Sequence, residues 1–128
     1  MRFLMMVKAE APSGEPGVRL MAAMGTFVEE QTKAGTLVDT GGVQENESGT
    51  SMALAGGKIT TTDGPFTEAN EVIGGYIIVD VPAKKQALEI AHHFLDVHAK
   101  IMGPNYKAET IVRRMYTIKE EVRPEVLK

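Results

Sequence analysis

Thr62-Asp63-Gly64-Pro65-Phe66-Thr67-Glu68-Ala69 sets two carboxylates around a proline-locked bend. Pro65 fixes its own φ and biases Gly64 away from helix, so the chain turns here in few ways. A carboxylate held that rigidly suits proton transfer, above all where loss of water raises its proton affinity. Asp63 is therefore a candidate general base, Glu68 a second carboxylate, and Gly64, Pro65 and Phe66 candidate ligand contacts beside them. The competing role is structural. Asp commonly bonds to nearby backbone N–H groups in turns, and Glu68 can cap the short segment behind Thr67.

Arg113 is the second catalytic candidate. It alternates with Glu109, Ile111 and Met115 on one face of a β-prone run, where its planar fork can take a carboxylate or phenolate. An ion pair with Glu109 or Asp63 is the alternative use. Asp39, expected on the same face as Leu37, and Tyr76, with its phenol, are further candidate ligand contacts. The equally ordinary roles are a strand-end residue before Gly41-Gly42 and a packing ring with its hydroxyl at the rim.

All the histidines fall on one helical pattern. His98 lies in its apolar stripe near the C-terminal end, where the helix dipole favours the protonated ring; it is either a packed side chain or a ligand contact. His92 is expected at the stripe's edge and His93 on the polar side. None of their spacings matches two ligands on one helical face, so no metal site is expected.

These residues must be positioned by a limited set of elements. Arg2–Lys8 reads as a short buried strand. Leu20, Met21, Met24, Phe27 and Val28 follow at helical spacing, and Gly35 stands where a left-handed residue ends a helix. Residues 36–43 are β-prone. Ser51–Ala55 and Lys58–Thr62 flank Gly56-Gly57, the signature of a hairpin with a primed turn. Residues 68–72 suggest a brief irregular or helical segment. Tyr76–Val79 is apolar on both faces, which predicts a central strand. After Pro82, Ala87, Ala91, Phe94 and His98 mark a second helix, with Leu88, Ile90 and Leu95 beside them and Gly103-Pro104-Asn105 ending it. Residues 109–118 form a last strand. One domain over residues 1–118 and a charged tail over 119–128 are expected.

The order is β, α, β, β-hairpin, β, α, β. Its economical arrangement is an α+β ferredoxin-like sandwich: an antiparallel sheet with two helices on one face. The other face then presents apolar side chains to water unless something covers it, and a two-fold homodimer is the simplest cover. Met5, Met6, Met21, Met24, Met52 and Met115 are adaptable filler for the core or that interface.

With 128 residues, 43% hydrophobic and 24% charged, the chain has the size and balance of a single globular domain. A net charge of −3 without a basic cluster argues against nucleic acid as a partner. Absence of cysteine excludes disulfides, thiolate zinc sites and thiol nucleophiles, and fits the cytoplasm. No run suggests a signal peptide or a membrane span. The glycine pairs lack the Lys-Ser/Thr of a phosphate loop, and no nucleotide, flavin or other cofactor signature is present.

Met1–Lys8, Lys33-Ala34-Gly35-Thr36-Leu37 and the Asp63-Gly64-Pro65-Phe66 element, with Gly74-Gly75-Tyr76 and Glu109–Arg113, resemble the DGPF-type proteins of the YCII-related family. The likeness runs to about Tyr116. It implies a dimeric α+β barrel built on a ferredoxin-like unit. For some relatives it also implies lyase chemistry on chlorinated aromatics through a His–Asp pair. The histidine of that pair would lie early in the first helix, where this chain has Val18-Arg19-Leu20-Met21-Ala22; Asp39 could be the surviving acid. The expected function is a cofactor-free acid–base enzyme acting on a small anionic or aromatic molecule, or a non-catalytic dimer that binds such a ligand or regulates through it.

Overall fold

Alternation along β1 (Arg2–Glu10) sets the layering of the molecule. Phe3, Met5 and Val7 are buried on one side, while Leu4 and Met6 point to the other and are half-buried. The computed structural model describes residues 1–10, 17–43, 49–64 and 71–116. The elements are β1, α1 (Val18–Lys33), β2 (Leu37–Gly42), β3 (Thr50–Ala55), β4 (Lys58–Asp63), β5 (Glu71–Asp80), α2 (Lys84–Met102) and β6 (Ala108–Arg114).

Four strands form an antiparallel sheet in the order β2-β5-β1-β6, which with α1 and α2 is the ferredoxin-like α+β arrangement. β5 is central, as its apolar run requires. Among the described residues, β3 and β4 pair only with each other, in a separate two-stranded sheet. Gly56 and Gly57, at φ 57° and 76°, make the turn between them, where a side chain would be strained.

Both helices lie on the face that carries Phe3, Met5, Val7, Ile77 and Val79. α1 contributes buried Phe27, with Met24 and Val28 against the core, and Gly35 at φ 74° ends it. α2 buries Ala87, Ile90, Ala91, Phe94 and His98. Met21, expected in the stripe of the first helix, and Leu88, expected beside that of the second, are exposed. No described helix is long and apolar enough to cross a membrane.

Two bulges flank the middle of β5. On β2, Leu37 stands opposite Val79 but Asp39 opposite Ile78, so Val38 is an extra residue. On β5, Val7 stands opposite Gly75 but Lys8 opposite Ile73, so Gly74 is extra. Each bulge reverses the side-chain alternation beyond it. The first overturns the expectation that Asp39 shares a face with Leu37. Leu37 packs on the core, and Asp39 sits on the face away from the helices.

Other boundaries also differ. Glu71 and Val72 belong to β5 rather than to an irregular or helical segment, and residues 68–70 lie outside the described ones. β6 ends at Arg114, earlier than expected, and the tail over 119–128 lies outside the described residues.

The face opposite the helices is mostly apolar. Leu4, Met6, Tyr76, Ile78 and Ile111 stand on it half-buried, and no described helix covers them. Exposed Met52, Leu54 and Ile59 add apolar surface on the hairpin.

Candidate functional site

The described acid with the most organised surroundings is Asp39. Its Oδ1 accepts the N–H of Thr40 at 2.9 Å, and its Oδ2 accepts the hydroxyl of Tyr76 at 3.0 Å. Both oxygens are thereby aimed, although the side chain is exposed. Local backbone explains the geometry. The Val38 bulge turns the carboxylate onto the open face, and Tyr76, opposite Gly41, is its diagonal neighbour on β5. A β-carbon at Gly41 would lie 3.0 Å from Tyr76 Cε1 and 3.2 Å from its hydroxyl oxygen. The ring thus lies across the glycine's bare backbone, a cross-strand arrangement that protects a glycine in a sheet.

The hydrogen bond to Asp39, followed by that group's negative charge and by burial, raises the proton affinity of the Tyr76 phenol above the ordinary tyrosine value. Tyr76 is therefore a neutral hydrogen-bond donor near neutral pH. It can steady the carboxylate or present a proton to an oxygen of a bound molecule; it cannot serve as a phenolate base there.

Arg113 stands on the same face at the opposite edge of the sheet. It is exposed and, among the described residues, makes neither of the expected ion pairs with Glu109 and Asp63. Leu4, Met6 and Ile78 separate it from the Asp39–Tyr76 pair, so an apolar floor runs between an acid and a base.

Asp63 lies elsewhere, at the end of β4 on the hairpin. Its Oδ1 accepts the Thr50 hydroxyl at 2.9 Å across the two strands, and the Gly64 N–H donates to the Gly49 carbonyl at 2.8 Å. Both contacts close the open end of the hairpin. Pro65, Phe66 and Glu68 lie outside the described residues.

His98 is on the helical side of the sheet. It is buried, its Nδ1 lies 2.9 Å from the Phe94 carbonyl oxygen, and its ring sits between Phe94 and Tyr106. Those contacts make it a packing residue. The neighbouring histidines exchange their expected places. His93 faces α1, with Nε2 3.4 Å from Glu30 and its ring against Phe27, whereas His92 is exposed. Asp39 and Tyr76 were each candidates in the sequence, but their pairing was not; Gly41 opposite an aromatic was the signal for it.

No curated protein matches the chain. Residues 1–99, more than three quarters of it, match the family model of the YCII-related domain, and this span contains β1 through most of α2 and both members of the Asp39–Tyr76 pair. The chain belongs to the YCII-related family.

Proposed function

We propose that the protein is a small homodimer that takes an anionic or aromatic molecule onto the open face of its sheet and performs acid–base chemistry of the lyase type there. The carrying observation is the Asp39–Tyr76 pair, a fixed carboxylate and a neutral phenol on a mostly apolar face. Asp39 takes the role of base, Tyr76 turns its hydroxyl from Asp39 to a substrate oxygen on binding, and Arg113 neutralises negative charge. Dimerisation is supported by the uncovered apolar face and by the exposed Met52, Leu54 and Ile59 of the hairpin. Removal of water by a second copy would strengthen each polar contact.

Titration calorimetry with benzoate, 4-hydroxybenzoate and catechol tests the proposal. Saturable binding that weakens in both Asp39→Asn and Arg113→Ala supports it. Absence of binding to the whole panel, or binding indifferent to both substitutions, rejects it.

A second reading, a non-catalytic ligand-binding or regulatory dimer, draws on Asp63. Its carboxylate is engaged by Thr50 at the hairpin end, the contact expected of an architectural turn. Binding without turnover of any bound compound supports that reading.

A further inference from the structure

One cross-strand row of the open face has an unusual charge pattern. Asp39 stands opposite Ile78, Ile78 opposite Leu4, and Leu4 opposite Arg113. The row therefore reads acid, apolar, apolar, base from one edge of the sheet to the other. With strands about 4.8 Å apart, its charged ends are separated by about 14 Å of backbone, too far for the two side chains to meet in one subunit. A small ligand cannot bridge them there either.

A second copy can. Sheets that pack face to face lie about 10 Å apart, within reach of an arginine and an aspartate that point towards each other. Two simple two-fold arrangements stack this face on itself. If the axis runs across the strands, β2 lies over β2 and β6 over β6, and with the axis at the level of this row Asp39 faces Asp39. If it runs along the strands, β2 lies over β6, Ile78 over Leu4 and Asp39 over Arg113. Rotation about that axis preserves height along the strands, so residues of one row stay level with each other. Like charges brought together in an interface oppose association, and unlike ones fix the register.

We infer that the two copies stack with their axis along the strands, so that Asp39–Tyr76 of one subunit and Arg113 of the other together form each ligand site. This rests on the proposed binding at the open face and deepens it: two equivalent sites lie at the edges of the stacked sheets, and neither is complete in one chain. The anionic group of the ligand sits between the partner's guanidinium and the phenol of Tyr76.

Sedimentation analysis of charge reversals tests the arrangement. Arg113→Glu and Asp39→Arg should each weaken dimerisation about tenfold or more, by placing like charges together. The double variant Asp39→Arg/Arg113→Glu should recover to within about threefold of the natural protein, because the pair is restored with reversed polarity. Circular dichroism checks that each variant is folded. If a reversal unfolds, Asp39→Asn, Arg113→Ala and their combination replace it, and their effects on dimerisation must be non-additive. A monomeric natural protein, unaffected single variants, or a double variant weaker than either single one overturns the inference. A dimer without charge coupling removes only this stacking, whereas failure to bind the aromatic panel removes the ligand proposal and leaves the coupling intact.

Discussion

The ring of Tyr76 crosses the backbone of Gly41 and ends at the carboxylate of Asp39, 3.0 Å away. The absent side chain at position 41 is what leaves room for that path. A methyl group there meets only a ring on the open face, which can swing aside. Gly41→Ala should therefore separate Tyr76 from Asp39 while changing stability by no more than about 1 kcal/mol. Near-ultraviolet circular dichroism together with chemical denaturation reads both effects. Gly75→Ala is the contrasting case, since its β-carbon would lie 2.8 Å from the Gly41 carbonyl oxygen. Backbone must then move, and a loss of about 1–3 kcal/mol is expected.

The phenol of Tyr76 should titrate above the ordinary tyrosine value of 10.0, and Asp39→Asn should bring it down. Difference titrations of phenolate absorbance against Tyr76→Phe isolate this group from Tyr106 and Tyr116. The sign for stability follows from linkage. A group whose proton affinity rises on folding stabilises the fold below its unfolded value, and this contribution is lost as pH climbs through the folded value. The relevant window is alkaline, so the pair's effect on stability is constant around neutrality.

Replacing His98 by Ala removes a buried ring that packs on Phe94 and Tyr106. A loss of about 2–4 kcal/mol in denaturant unfolding is expected, comparable to other large-to-small core changes. Ligand affinity per folded molecule should be unchanged, because the ring lies on the helical side of the sheet.

Asp63→Ala should cost about 0.5–1 kcal/mol, as expected for one exposed side-chain hydrogen bond. Thr50→Ala should cost a similar amount, and the double variant little more than either, since both remove the same contact. Equal loss from both single variants, read by denaturation, identifies a hairpin clasp. Loss of turnover in Asp63→Ala alone would return this residue to the chemistry.

Much of the fold was legible because periodicity reports burial. Alternation gave β1, three- and four-residue spacing gave the faces of α1 and α2 that carry Phe27 and Phe94, and paired glycines located the hairpin turn. The candidate site was less legible for a definite reason. Face assignment along a strand is a matter of odd and even positions, and one extra residue at Val38 exchanges them, which moved Asp39 away from Leu37. His92 and His93 were exchanged for a related reason: adjacent helical positions diverge by about 100°, so a small error in the stripe's centre inverts which ring is covered. The partner of Asp63, Thr50, belongs to another strand and follows from hairpin register, which the turn glycines fix only once the strands are known to pair.

The bulge on β2 also makes the outward aim of Asp39 depend on how Val38 is paired as well as on composition. Excising Val38 would leave Leu37 opposite Val79 and the carboxylate outward opposite Ile78, now by plain alternation, whereas drawing Val38 into the ladder would turn the carboxylate towards the helices. Whether Val38 stays out of the ladder, more than the identity of its neighbours, therefore decides whether an acid stands on the uncovered side.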